Sequence, residues 1–267
     1  MPRLRAVEPT GLAPSAASAA DDAGAAAEAA GVEIRPLTTL EEALDATRVM
    51  VATWGSTQNT GHELLRAMQA SGNVLIGAFD GGRMVGFVFG FYGRDEEGWH
   101  HHSHMLAALP ERRHAGVGYA LKLAQRAAVL DAGVALMRWT FDPLIARNAW
   151  FNLGKLGAVA DRFHRNFYGA MDDELNRGER SDRLEVRWEL RASPPAGGSS
   201  PRRAAATVAV PVDYAELRSE DPAAARVERE RAARELEACF DRGLVATWFD
   251  RRGSSYVFIA RGPGPGP

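Results

Sequence analysis

The sequence predicts a mixed α/β (α+β) fold: a central, mostly antiparallel sheet flanked by helices, followed by a small C-terminal strand-helix-hairpin module. Three observations lead there. Asp80-Gly81-Gly82 separates two apolar runs, 73–80 and 83–93, which is a hairpin signal. The stretch 100–121, HHHSHMLAALPERRHAGVGYAL, reads as a strand entering a glycine-bearing turn that opens a helix. Leu184, Val186, Trp188 and Leu190 alternate with Glu185, Arg187 and Glu189, the pattern of a half-exposed strand.

Composition narrows the function classes. Hydrophobic content of 46% is inflated by alanine, but clusters of Val, Leu, Phe and Trp suffice for a core. A net charge of −2 provides no basic field, so no nucleic-acid partner is expected. Lys122 and Lys155 are the only lysines; arginine carries almost all the positive charge. The single cysteine, Cys239, rules out an intramolecular disulfide framework and fits a reducing cytoplasm. No apolar run approaches the length of a membrane span, so no membrane partner is expected. Asp21 and Asp22 interrupt the alanine tract behind Arg3 and Arg5, which argues against a signal peptide and for a cytoplasmic location.

Along the chain, 1–30 is rich in Ala, Pro, Ser and Gly and is expected to be a disordered tail, with at most a transient helix. The main domain is expected over 31–190. Val32–Leu37 is a short strand. Thr39 and Glu42 form a capping box for a helix that keeps phase through Leu40, Ala43, Leu44, Thr47, Val51 and Trp54. A polar break, 55–61, precedes a second helix over His62–Ala70. On the strand 83–93, Phe87, Phe89 and Phe91 share one face, whereas Gly86, Val88 and Gly90 leave room for close packing on the other.

Val117, Leu121, Ala124 and Ala128 recur at helical spacing, and Gly133 stops that helix. Leu136–Phe141 is the next strand, Asn148–Lys155 a helix, and Ala158–Tyr168 a strand. Residues 191–206 read as a linker by composition. The module 207–261 contains a strand at Val208–Val212, a helix starting at Asp221-Pro222, and a hairpin of Leu244–Phe249 with Tyr256–Ala260. It is too small for its own core, so it is expected to pack on the main domain or to form a homodimer with a second subunit. Residues 262–267 are a tail.

The turn Arg113-His114-Ala115-Gly116-Val117-Gly118 aims backbone N–H groups outward at a helix N-terminus, an anion site suited to phosphate. Its spacing is neither GxGxxG nor a Walker loop. It is (R/Q)xxGx(G/A), directly after Ala108-Leu109-Pro110-Glu111. Here the chain resembles the GNAT acetyltransferase superfamily over roughly 32–190. It is most similar to a poorly characterised branch with a WTFDP stretch and a C-terminal extension. The resemblance implies an acetyl-CoA (or another acyl-CoA) donor and a small-molecule or protein amine acceptor.

The same resemblance implies that N–H groups of Arg113, His114, Ala115, Gly116, Val117, Gly118 and Tyr119 hold the pyrophosphate. Leu106 and Ala108 would pair with the pantetheine arm, which requires the central strand to splay from 137–141. Asn148 sits where relatives place an amide near the thiol region; a helix N-cap explains it equally well. The connection between the first two helices borders the acceptor site in the family, which makes Trp54, Gln58 and His62 candidate contacts. At the position where many relatives carry a tyrosine acid, this chain has Leu153.

Period-2 geometry places His100, His102 and His104 on one strand face, opposite His101 and Ser103. His102 occupies the position of the general-base glutamate of histone-type relatives, and an imidazole near neutrality suits that task. Tyr168 is the candidate acid for the departing thiolate. His104 and Asp142 are candidates for the acceptor pocket. Two plainer readings stay open for the histidine run: a zinc site, for which no Cys or acidic partner is in place, and partly buried polar groups lining a cleft. No metal is expected. The rival to an N-acyltransferase is a non-catalytic acyl-CoA-binding domain, because the usual tyrosine is lost and an extension is added.

Overall fold

The computed structural model describes residues 16–55, 60–113, 115–169, 179–192, 201 and 203–261. The N-terminal half runs α1 (Ala16–Ala30), β1 (Glu33–Pro36), α2 (Leu40–Trp54), α3 (His62–Ala70), β2 (Val74–Asp80), β3 (Arg83–Asp95), β4 (Gly98–Ala108) and α4 (Val117–Asp131). It continues with β5 (Leu136–Phe141), α5 (Ala146–Ala149), β6 (Val159–His164) and β7 (Arg183–Glu189). The C-terminal part adds β8 (Ala206–Ala209), α6 (Tyr214–Glu220), α7 (Pro222–Asp241), β9 (Leu244–Asp250) and β10 (Ser255–Ala260).

All ten strands form one sheet in the order β1-β2-β3-β4-β5-β7-β6-β9-β10-β8. Only β4 and β5 pair in parallel; every other neighbouring pair is antiparallel. The glycine face of β3 is used as its lack of side chains allows. A Cβ on Gly86 would lie 3.1 Å from Val117 Cγ1 and 3.3 Å from Leu121 Cδ1, so α4 seats directly on the strand. The phenylalanine face of β3 turns toward α2, where Trp54 meets Phe87 edge-on.

Four expectations require correction. Residues 16–30 are a helix docked on α4, with Ala19 fully buried and Asp22 bonded to the buried Arg126 at 3.0 Å. Counting large apolar side chains missed this contact, because small side chains let two helices come close and gain dispersion contacts along their length. The C-terminal module packs on the main domain. β9 pairs with β6 at Ala160–Ala246, so the extension lengthens the same sheet, and it carries two helices rather than one.

β6 ends at His164 instead of reaching Tyr168, which sits in a turn held by left-handed Asn166 and Gly169. The helix expected over Asn148–Lys155 starts at Ala146 and turns into a π-helical segment at Trp150–Lys155. Gly154 permits that distortion. A Cβ there would fall 2.3 Å from the Trp150 ring, which folds back over it and meets Trp248 edge-on.

The capping box of α2 forms as expected, with Thr39 Oγ1 accepting from the Glu42 N–H and Glu42 Oε2 from the Thr39 N–H. Burial would raise the Glu42 carboxyl, but the Thr38 N–H, the Arg35 guanidinium and the Thr39 N–H outweigh it and lower its pKa to about 2. A depressed carboxyl contributes stability above its unfolded value of 4.5 that is lost as pH falls through about 2. Glu42→Gln should therefore lower stability by about 1 kcal/mol at neutral pH, and the difference from wild type should shrink below pH 4.5 in denaturant melts. In α1, Ala19→Leu should cost about 1–3 kcal/mol by overpacking against α4. An unchanged melting temperature would mean that the helix does not dock.

Candidate active site

The site is built where β4 and β5 part. They pair only at His101–Met137 and His102–Arg138; beyond these the ladder stops. β4 remains bonded to β3 along its length, and β5 to β7 from Leu136 to Phe141. A fork therefore opens between two strands that are each rigidly held on the far side.

Backbone geometry shows what lines the fork. The Leu109 N–H donates to Val85 O, and Ala107 O also faces β3, next to Gly86. In an antiparallel ladder successive residues point their N–H and C=O to opposite sides. Leu106 and Ala108 thus turn theirs away from β3 and into the fork, where no strand of the described residues meets them. These two residues present polar backbone to a gap.

A bulge at His104 sets the side chains. Gly90 faces Ser103 and Phe89 faces Met105, so His104 is the extra residue. The register places His101, Ser103, Leu106 and Ala108 on the α4 face of β4, with His102, Met105 and Ala107 on the α2 face. His102 stacks on Phe91 with centroids 5.0 Å apart, and His104 contacts Phe89, Phe91 and His102. His100 instead lies over Gly93, its Nδ1 3.9 Å from Asp95. Among the described residues no three His, Cys, Asp or Glu side chains converge to hold a metal ion.

The imidazoles are not near neutrality. Burial, reinforced by His104 and opposed by Glu185, pushes His102 down to about 4. His101, fully buried beneath Gly90 and 3.2 Å from Gln125 Nε2, is pushed down to about 3, chiefly by burial. Burial also lowers His104. All three are uncharged at neutral pH, which corrects the expectation for His102.

At the head of the fork, Gly116 takes φ 87° and starts α4 with no side-chain cap. The Arg113 N–H donates to Pro110 O, Ala115 to Arg112 O, and Tyr119 to Gly116 O. That leaves Gly116, Val117 and Gly118 as the outward donors of the turn. The expected set narrows accordingly: Arg113, Ala115 and Tyr119 have committed their N–H groups, and His114 and Gln58 lie outside the described residues. Tyr119 offers its ring to Lys155, whose Nζ sits 4.3 Å from the centroid.

The remaining candidates separate. Tyr168, 46% exposed, brings its hydroxyl within 3.3 Å of Thr140 Oγ1 on the β5 arm. Asn148 is the third residue of α5, where Ile145 is the N-cap, so the capping explanation does not hold. Trp54 is packed edge-on against Phe87. Asp142 is engaged by the C-terminal extension: it accepts from the Leu144 N–H at 2.9 Å and from Arg229 of α7 at 2.9 Å. It anchors the C-terminal extension through Arg229. Leu153 is buried and offers no proton.

The sequence reading missed Lys122, which is 2% exposed and donates to Ser103 Oγ at 2.8 Å. One signal was available. Gly118 and Arg126 lie one turn away on either side, so this helical lysine has no acidic i±4 partner.

No protein-family model matches the chain, and no curated protein matches it. Solved structures do. The NatC complex bound to Gag peptide and CoA aligns over 59% of this chain and 98% of its own, with 11% identity and a TM-score of 0.50. The ribosomal-protein-S18-alanine N-acetyltransferase of Escherichia coli aligns over 62% of this chain and 97% of its own, with 17% identity and a TM-score of 0.49. A putative acetyltransferase of the GNAT family from Desulfovibrio desulfuricans gives 60%, 99%, 19% and 0.46. More than a third of this chain lies outside each alignment.

Gly118 offers a clean test of the helix start. A Cβ there meets only Leu106 Cδ2 at 3.8 Å, whereas Gly116 holds a φ that strains any other residue. Acetyl-CoA should raise the melting temperature of wild type, and Gly118→Trp should keep the fold but abolish that rise. A retained rise in that variant removes the turn from the binding site.

Proposed function

We propose that this chain, whose fold is that of the GNAT acetyltransferases, transfers an acetyl group from acetyl-CoA to a primary amine. The observation that carries this reading is the fork. It combines unpaired strand edges at Leu106 and Ala108 with the uncapped start of α4 at Gly116–Gly118. An extended amide-bearing arm fits the first, and a pyrophosphate fits the second. The residues present thus fit an acyl-CoA, with Asn148 of α5 as a further contact on the far wall.

The amine acceptor, a small molecule or a protein amine, enters on the α2 face beside His102 and His104. Uncharged His102 takes up the proton of the amine, directly or through water, as nitrogen attacks the thioester carbonyl. The C–S bond then breaks, and Tyr168, on the β5 arm, supplies a proton to the departing thiolate. A side chain held near 4 is a weak base, so it works best on an amine that arrives already neutral. That weakness, together with the buried Leu153, is what favours the second reading, an acyl-CoA-binding domain without turnover.

Release of CoA thiol from acetyl-CoA with a panel of amines separates the two readings. Turnover supports the transferase; binding with no turnover supports the second reading. His102→Ala should lower turnover by roughly 10²–10⁴-fold and leave acetyl-CoA binding intact. Wild-type turnover should lose its base only as pH falls through about 4, below the usual imidazole range. His101→Ala, on the opposite face beneath Gly90, should lower stability instead. Equal activity in both variants would remove His102 from the reaction.

A further inference from the structure

Lys122 occupies the crotch of the fork. Its Nζ donates to Ser103 Oγ of β4 at 2.8 Å and to Gln125 Oε1 at 3.3 Å, and lies 3.6 Å from Met137 Sδ of β5. It also stands 3.7 Å from the centroid of the Trp139 ring. Ser103 and Trp139 are the first residues beyond the last ladder pair, His102–Arg138. The amine therefore touches both arms at the point where they separate.

None of these partners carries a negative charge. Burying an ammonium without a counter-ion is costly, and the group escapes that cost by losing its proton. Burial accordingly lowers Lys122 well below the usual ammonium range. The groups around it are consistent with an amine: Ser103 and Gln125 accept its N–H bonds, and the indole face receives the remaining contact. His101, on the same face and itself uncharged, completes the cluster through Gln125. Freed of its proton, this amine would be a nucleophile held at the point where the two arms of the fork part.

We propose that Lys122 is a self-acylation site, taking an acyl group from the acyl-CoA seated in the fork. This rests on the donor assigned under the proposed function. The Lys122 nitrogen forms a bond to the thioester carbonyl carbon, the C–S bond breaks, and the proton leaving nitrogen passes to the CoA thiolate. The products are an Nε-acyl-lysine and free CoA thiol, with no other reactant. Because an amide does not return its acyl group to an amine, the modified chain keeps the acyl group in the cleft. The step is then self-limiting.

The sequence makes the test simple, because Lys155 is the only other lysine. Native protein is incubated with acetyl-CoA and digested with trypsin, which does not cut after an acylated lysine. The expected product is the uncut peptide His114–Arg126 carrying one acetyl group. Its yield should saturate at the acetyl-CoA concentration that saturates binding by calorimetry, and should exceed acetylation of Lys155 at least about tenfold. Lys155→Arg should leave the product unchanged, and Lys122→Arg should remove it. Denaturation in urea should erase the preference for Lys122.

Binding without acetylation of Lys122, or with Lys155 modified as readily, overturns this inference and leaves the donor assignment standing. No binding at all overturns both. If Lys122→Arg does not fold, the peptide from wild type and from Lys155→Arg still decides.

Discussion

The rest of the structure depends on a ladder that stops early. β4 and β5 share only two residue pairs, while each strand pairs at length with its other neighbour. Polar backbone left unpaired between strands is costly unless water or a ligand satisfies it. The fork is therefore a local loss of stability held open by well-formed pairing on both sides. The bulge at His104 sharpens it by turning Leu106 and Ala108 toward α4 while leaving His102 on the α2 face.

Holding the far arm in place is the task of the C-terminal extension. Tyr256, buried on β10, donates to Pro143 O at 2.6 Å, and Arg229 of α7 bonds Asp142 Oδ2 at 2.9 Å. Both contacts fall on the loop that leaves β5 and starts α5. Burial would lower the Arg229 guanidinium, but Asp142 and Tyr214 hold it charged. Removing one member of such a pair would leave an uncompensated buried charge, and that penalty exceeds any worth of the contact itself. The extension thus fastens the loop that follows β5, the far arm of the cleft.

Electrostatics in the cleft follow from the same burial. The face toward α4 contains a lysine and a histidine with no carboxylate between them, and burial shifts both toward their uncharged forms. The neighbouring face keeps its charges in pairs. Glu97, on the β3–β4 turn, bonds Arg138 and Arg187 at 2.8 Å each, and fastens that turn across β5 and β7. The sheet thus carries two solutions to the burial of ionisable groups: imidazoles on both faces are neutralised, and the charges around Glu97 are paired.

Local signals in the sequence determined much of this protein. The hairpin at Asp80-Gly81-Gly82, the capping box at Thr39 and Glu42, the strand–turn–helix at 100–131 and the alternation at 184–190 are all present as read. Each depends on neighbouring residues, where propensity and period act directly. Only the tertiary structure decided the docking of α1, since the worth of an alanine face depends on how close another helix lies. Only it placed Asp142 with Arg229, some eighty residues apart in sequence and in contact in space. The protonation of His102 and the burial of Lys122 were likewise beyond the sequence. A side chain's residue type specifies its charge in water, but the surrounding dielectric and partners come from segments distant in the chain.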